Sequence, residues 1–320
     1  MLSQAESSPY ILWVILAERP LDWMADAQQV AVVPMAGWER ALHVDDARDS
    51  WDEENRRQFE VVAIARHWDE TLFRQLANQF LRGETNAEAF SEESAQEKLA
   101  VLTESPYVLA LGDGTWRWQR EMREYLLASG PLERLQAVHD WLFEYYRTLS
   151  ADTSQELEAL KEASYHGLAS SQPQAAMDWF LVAVLSAVEQ RPHPAIPDIV
   201  RSVAEASTVL KPAQIALAHM RWGQALAAVH DWNGAEQALE TALQQWLAIE
   251  ERRTTPQEND SEEQTSDSAA QEIQLAMAQT WFALAEVYLA LENSFDSLKS
   301  AQMAARIWGE LLGEDSLSYA

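Results

Sequence analysis

Apolar residues recur at helical spacing through most of the chain, and short polar or proline-bearing breaks divide them. Val61, Val62, Ile64, Ala65 and Trp68 form one stripe, and Leu72, Phe73, Leu76, Phe80 and Leu81 form a second. A third helix starts at Ser91, with Ser94 available as a cap, and runs through Leu99 and Leu102. Pro106 ends it. Tyr107 to Leu111 and Thr115 to Trp118 then flank Gly112-Asp113-Gly114, which predicts a β-hairpin. Trp116 and Trp118 stand two apart on that strand, hence on one face. From Pro131 onward the periodicity predicts helices over 131–149, 153–170, 173–190, 197–210, 212–230, 233–251, 271–292 and 295–312. The breaks coincide with Ser171-Gln172-Pro173, Arg191-Pro192-His193-Pro194 and Lys211-Pro212.

The start of the chain reads differently. Tyr10 to Ala17 is a continuous apolar run closed by Pro20, which predicts a buried strand. It is too short for the roughly 20 residues of a membrane span. It follows Glu6 with no Lys or Arg, which argues against a secretory signal and for a cytoplasmic protein. Leu21 to Gln29 suits a short helix, Val30 to Val33 a second strand, and Asp45-Asp46 a helix start. The expected organisation is a small α/β segment over 1–54, a helix and hairpin module over 55–130, and serial helix pairs over 131–320. Residues 254–270 contain no large apolar side chain and are dense in Glu, Asp, Ser and Thr, so a disordered acidic insertion is expected there. The fold class is mainly α: a winged-helix-like module, from its order of three helices then a hairpin, followed by an α-solenoid.

Composition narrows the chemistry. The 320 residues hold 51 acidic and 23 basic side chains, a net charge of −28, with seven His and no Cys. Without Cys there are no disulfides, thiolate zinc sites or Cys nucleophiles. The charge argues against nucleic acid and anionic membranes as partners. Residues 1–54 carry −8, 55–130 only −3, and 131–320 the remaining −17. His67 with Asp69 and Glu70, His139 with Asp140, and His230 with Asp231 resemble acid–base groupings. Neighbours on a helix point about 100° apart, so a His-Asp dipeptide does not converge on one metal. In the second Val-His-Asp-Trp sequence, Val229 to Trp232, Asp231 should cap a helix. No recognised catalytic or metal motif is present, and an enzyme, a cofactor and a metal are not expected. Arg117, Arg120 and Arg123 surround the hairpin and could meet phosphates or an acidic partner, although Asp113, Glu121 and Glu124 lie among them. Trp68, Trp141, Trp179, Trp222, Trp246, Trp281 and Trp308 lie on apolar stripes and are expected in the core.

Trp281, Leu284, Ala285 and Tyr288 match the first half of a tetratricopeptide motif. Twelve residues past Ala285 stand Ser297 and then Ala301 and Ala304, all small. Trp222, Gly223 and Leu226, with Ala235, Leu239 and Ala242, fall in the same register. The two copies are 62 residues apart against about 34 for adjacent repeats, and the acidic insertion with the helix extensions beside it accounts for the excess. The C-terminal half thus resembles the tetratricopeptide-repeat family. That resemblance implies a concave binding surface built from the first helix of each pair, with Gln214, His219, Arg221, Gln224, Gln279 and Glu286 on it. A basic segment of another protein is the expected ligand for an acidic face.

Residues 61–72, Leu99 to Tyr107, Gly112 to Trp118 and Arg123 to Leu126 are similar to the winged-helix module of STAND-type signalling ATPases, which precedes a repeat sensor. On that resemblance the chain is the C-terminal part of such a protein. No Gly-Lys pair occurs, so the phosphate loop and ATPase activity do not carry over. Gln119 also stands where that family usually has a histidine after the wing. The sequence therefore points to a non-enzymatic interaction, scaffold or regulatory protein. The alternatives are the sensor half of a split STAND-type NTPase and a winged-helix DNA-binding regulator.

Overall fold

The computed structural model describes residues 51–81, 92–150, 156–206, 208–254 and 267–312. The α/β segment expected at the start of the chain and the centre of the acidic insertion lie outside them. Twelve helices and two strands are found among the described residues, so the chain is mainly helical. They fall into two compact units, the first extending to Leu142 with Ala169–Ser171, the second comprising the rest. None of the described helices is long and apolar enough to cross a membrane.

The first unit opens with α1 (Glu53–Ile64) and α2 (Glu70–Phe80). Asp52 and Asp69 cap them, accepting from the Asn55 and Leu72 N–H groups, each at 2.7 Å. In α3 (Glu92–Thr103), Ser94 lies inside the helix and not at its cap. Strand β1 (Val108–Ala110) pairs antiparallel with β2 (Trp116–Trp118), with Val108 opposite Trp118 and Ala110 opposite Trp116. Gly112 and Gly114 turn the chain at φ 90° and 82°, the left-handed region where a side chain is strained. Trp116 also exchanges two backbone hydrogen bonds with Trp68. The Trp118 ring, buried, lies 6.0 Å from that of Trp68 and 5.4 Å from that of Phe59, so the hairpin is fixed to the core by its inner face. Then come α4 (Arg120–Ser129), packed on α1, and α5 (Leu132–Leu149). The repeats are expected to begin at Pro131, and the division into units falls inside α5, after Leu142.

The second unit holds α6 (Glu156–Leu168), α7 (Pro173–Gln190), α8 (Ile196–Ala204), α9 (Pro212–Ala228), α10 (Trp232–Thr254), α11 (Asp267–Ala290) and α12 (Ser294–Leu312). Helix α8 stops at Ala204, short of the predicted 210. Helices α10 and α11 each reach into the span predicted as insertion. Helix α9 packs closest on α10, and α11 on α12.

These two hairpins are built alike. His230 and Glu292, 62 residues apart, each take a left-handed φ, 65° and 60°. The next residues, Asp231 and Asn293, donate their N–H to Leu226 and Tyr288 carbonyls and accept from the Gly234 and Asp296 N–H groups. Inside the first hairpin, a Cβ added to Gly223 would stand 2.5 Å from Leu239 Cγ and 3.2 Å from the Ala235 carbonyl. In the second, Ser297 Oγ donates to the Ala285 carbonyl at 2.9 Å. At these small residues the two helices of each hairpin come into close contact. Met220, Ala235, Leu239, Ala242 and Leu284 fill the adjoining core.

Candidate partner-binding groove

A cavity of about 570 Å³ opens among α7, α9 and α11 of the second unit. Helix α7 supplies Leu185, Val188 and Glu189, spaced to share one face. Helix α9 supplies Arg221, Gln224, Ala227 and Ala228; α11 supplies Gln279, Phe282, Ala283, Glu286 and Val287. Trp232 and Leu239 of α10 and Trp308 of α12 complete the lining. The Phe282 and Trp308 rings lie 5.6 Å apart, making an aromatic wall on one side. The size lies within the range usual for ligand clefts, and the lining mixes apolar surface with a few polar groups.

Electrostatically the groove has one cation and two anions. Arg221 is half-buried and donates from Nη1 to Gln224 Oε1 at 2.8 Å, while its buried Nε has no partner. Burial lowers its affinity for the proton, and the neighbouring Glu189 carboxylate opposes that shift. Glu189 and Glu286 are exposed. Nothing in this arrangement pairs a nucleophile with a base.

Four of the six residues expected on the binding face, Arg221, Gln224, Gln279 and Glu286, line this groove together. Two do not. Gln214 is buried at the start of α9, where Nε2 donates to the Gln174 carbonyl (2.8 Å) and Asp178 Oδ1 (2.7 Å) and Oε1 accepts from the Lys211 N–H. His219 turns away from the groove against Trp222, ring centroids 5.9 Å apart, and its burial disfavours the imidazolium. Sequence reasoning missed Leu185, Glu189, Phe282 and Trp308. Phe282 continues the row of Gln279 and Glu286 on α11, a signal present in the sequence, whereas Leu185 and Glu189 of α7 and Trp308 of α12 reach the groove only through the packing of their helices. Of the tryptophans expected in the core, only Trp68 and Trp246 are fully enclosed; Trp141, Trp179, Trp222, Trp281 and Trp308 are half-buried.

In the first unit the three arginines separate. Arg117 is exposed opposite Leu109 on the outer face of the hairpin. Arg120 Nε donates to Glu124 Oε1 at 2.9 Å. Arg123 is buried, and its Nε and Nη2 donate to the Ala63 and Ile64 carbonyls at 2.6 and 3.0 Å, closing the C-terminus of α1. A phosphate contact by Arg123 is therefore excluded by geometry: it is a cap. Asp231 takes its expected capping place, and Asp140 accepts from the Ser171 N–H and hydroxyl at 2.7 and 2.8 Å. No family model, curated protein or solved structure matches this chain.

Proposed function

We propose that the C-terminal helices form a tetratricopeptide-like solenoid that binds another protein through the α7–α9–α11 groove and performs no chemistry itself. The observation that carries this reading is the gathering of Arg221, Gln224, Gln279 and Glu286 around one cavity of about 570 Å³. Its support is the common construction of the α9–α10 and α11–α12 hairpins, down to the left-handed residue and the cap that follows it. The N-terminal helices and hairpin act as a winged-helix-like module. With Arg123 committed to the α1 terminus and Arg120 to Glu124, its cationic surface is thin for a duplex. The test is affinity capture from the source cell with wild type and an Arg221→Glu/Gln279→Ala variant. A specific protein retained by the wild type and lost by the variant is the expected result. A retained set that is identical for both would overturn the assignment of the groove.

A further inference from the structure

The exposed face of α11 extends beyond the groove in both directions. Leu275, Phe282 and Leu289 are 40%, 45% and 65% exposed and stand seven residues apart. Gln279 and Glu286, also seven apart and exposed, lie between them, and exposed Glu272 extends the row. One large apolar side chain every seven residues is half of the pattern by which one helix receives another at a shallow angle, the other half here being polar. From Leu275 to Leu289 this seam runs about 21 Å, close to four helical turns.

Two further observations restrict the occupant. The first is backbone chemistry. An extended peptide brings an unpaired N–H and C=O at each residue, and each needs a partner when buried. The groove offers two amide side chains, Gln224 and Gln279, and Gln224 already accepts from Arg221. A helix arrives with its backbone already bonded. The second is charge. The exposed charges of α7 and α11 along this face are Glu189, Glu272 and Glu286, neither helix contains Lys or Arg, and α9 contributes Arg221 alone. An occupant complementary to this face is cationic on its flanks.

We infer that the groove accepts a basic amphipathic helix of a partner protein, its apolar side chains at heptad spacing set along Leu275, Phe282 and Leu289. This rests on the groove being the binding surface. Its polar flanks place Lys or Arg near Glu272, Glu286 and Glu189, and an uncharged or acidic group opposite Arg221.

The experiment is selection of an unbiased library of peptides, roughly 16–20 residues long to match the seam, on the full chain, with counter-selection on Phe282→Asp. Phe282 is half-exposed, so the variant should keep its fold, and its circular dichroism is checked first. The expected outcome is enrichment of Lys- and Arg-bearing peptides with apolar residues at helical spacing and no central Pro. Their binding should fall by about tenfold or more on Phe282→Asp. Enrichment of groove-dependent peptides with central Pro or Gly, or with acidic flanks, would overturn the inference and leave the groove as the binding surface. Absence of any groove-dependent peptide would overturn both.

Discussion

Replacing Gly223 by Ala should destabilise the second unit, although the same change in an ordinary helix interior stabilises. Without packing, Ala in a helix is favoured over Gly by about 1 kcal/mol. Here the new methyl would lie 2.5 Å from Leu239 Cγ, 2.8 Å from Leu239 Cδ2 and 3.2 Å from the Ala235 carbonyl. The obstructing atom is the Leu239 branch point, which a χ2 change leaves in place, and with no exposed surface the side chain has no open space into which a χ1 change could carry it. Overpacking of this kind costs about 1–3 kcal/mol, and the closeness of the contact puts it at the upper end. The net loss is then about 2 kcal/mol, a fall in Tm of roughly 4–8 °C for a unit of this size. Urea unfolding of the full chain, followed by far-ultraviolet circular dichroism, measures it. In a Leu239→Ala background the obstruction is gone, and Gly223→Ala should become neutral or stabilising. Stabilisation of the wild type by about 1 kcal/mol, the bare propensity gain, would refute the close-approach argument.

Other consequences follow from buried groups and strained turns. Arg123→Met leaves the Ala63 and Ile64 carbonyls without their donors; a loss of about 2–4 kcal/mol in thermal or urea unfolding is expected. His139 is completely buried, and burial together with Arg123 pushes its pKa down from 6.5 to about 3. The unfolded chain takes up that proton near 6.5, so stability is full above this pH and falls as pH drops toward 3. Between pH 7 and 5 the wild type should lose about 2 kcal/mol more than His139→Gln, measured by urea unfolding at each pH. Gln214→Ala should cost about 1–3 kcal/mol of stability while leaving partner capture unchanged, because its amide is spent inside the fold. Glu292→Gly relieves a left-handed φ of 60° and should raise stability by up to about 1 kcal/mol in the same assay.

The helical spacing along the chain was enough to place most elements, because burial of one stripe per helix is a local property of the sequence. The Gly223, Ala235 and Leu239 register was legible for the same reason: small and large residues alternate where two helices must touch. Helix α8 was overextended because Ala206 and Leu210 are apolar and buried, yet they are held in turns after Ala204. Tertiary packing, not helix periodicity, buries them. The arginines show a different limit. Arg123 lies on the same face as Leu126 and Leu127, which marks it as buried, but only the fold brings the end of α1 within its reach. Gln214 shares that fate with the Gln174 carbonyl, 40 residues distant. In the groove, single residues such as Arg221 and Glu286 were legible from their repeat positions. The aromatic wall was not, since Trp308 joins Phe282 only through the packing of α12 on α11.

The most direct test of partner binding through the groove is hydrogen exchange on the full chain, alone and with the partner it captures. Binding in the groove adds protection on α7, α9 and α11, centred on the turns that carry Glu189, Arg221 and Phe282, and leaves the hairpin of Trp116–Trp118 unchanged. Protection confined to that hairpin or to α12, with α9 and α11 exchanging as in the free chain, would contradict it.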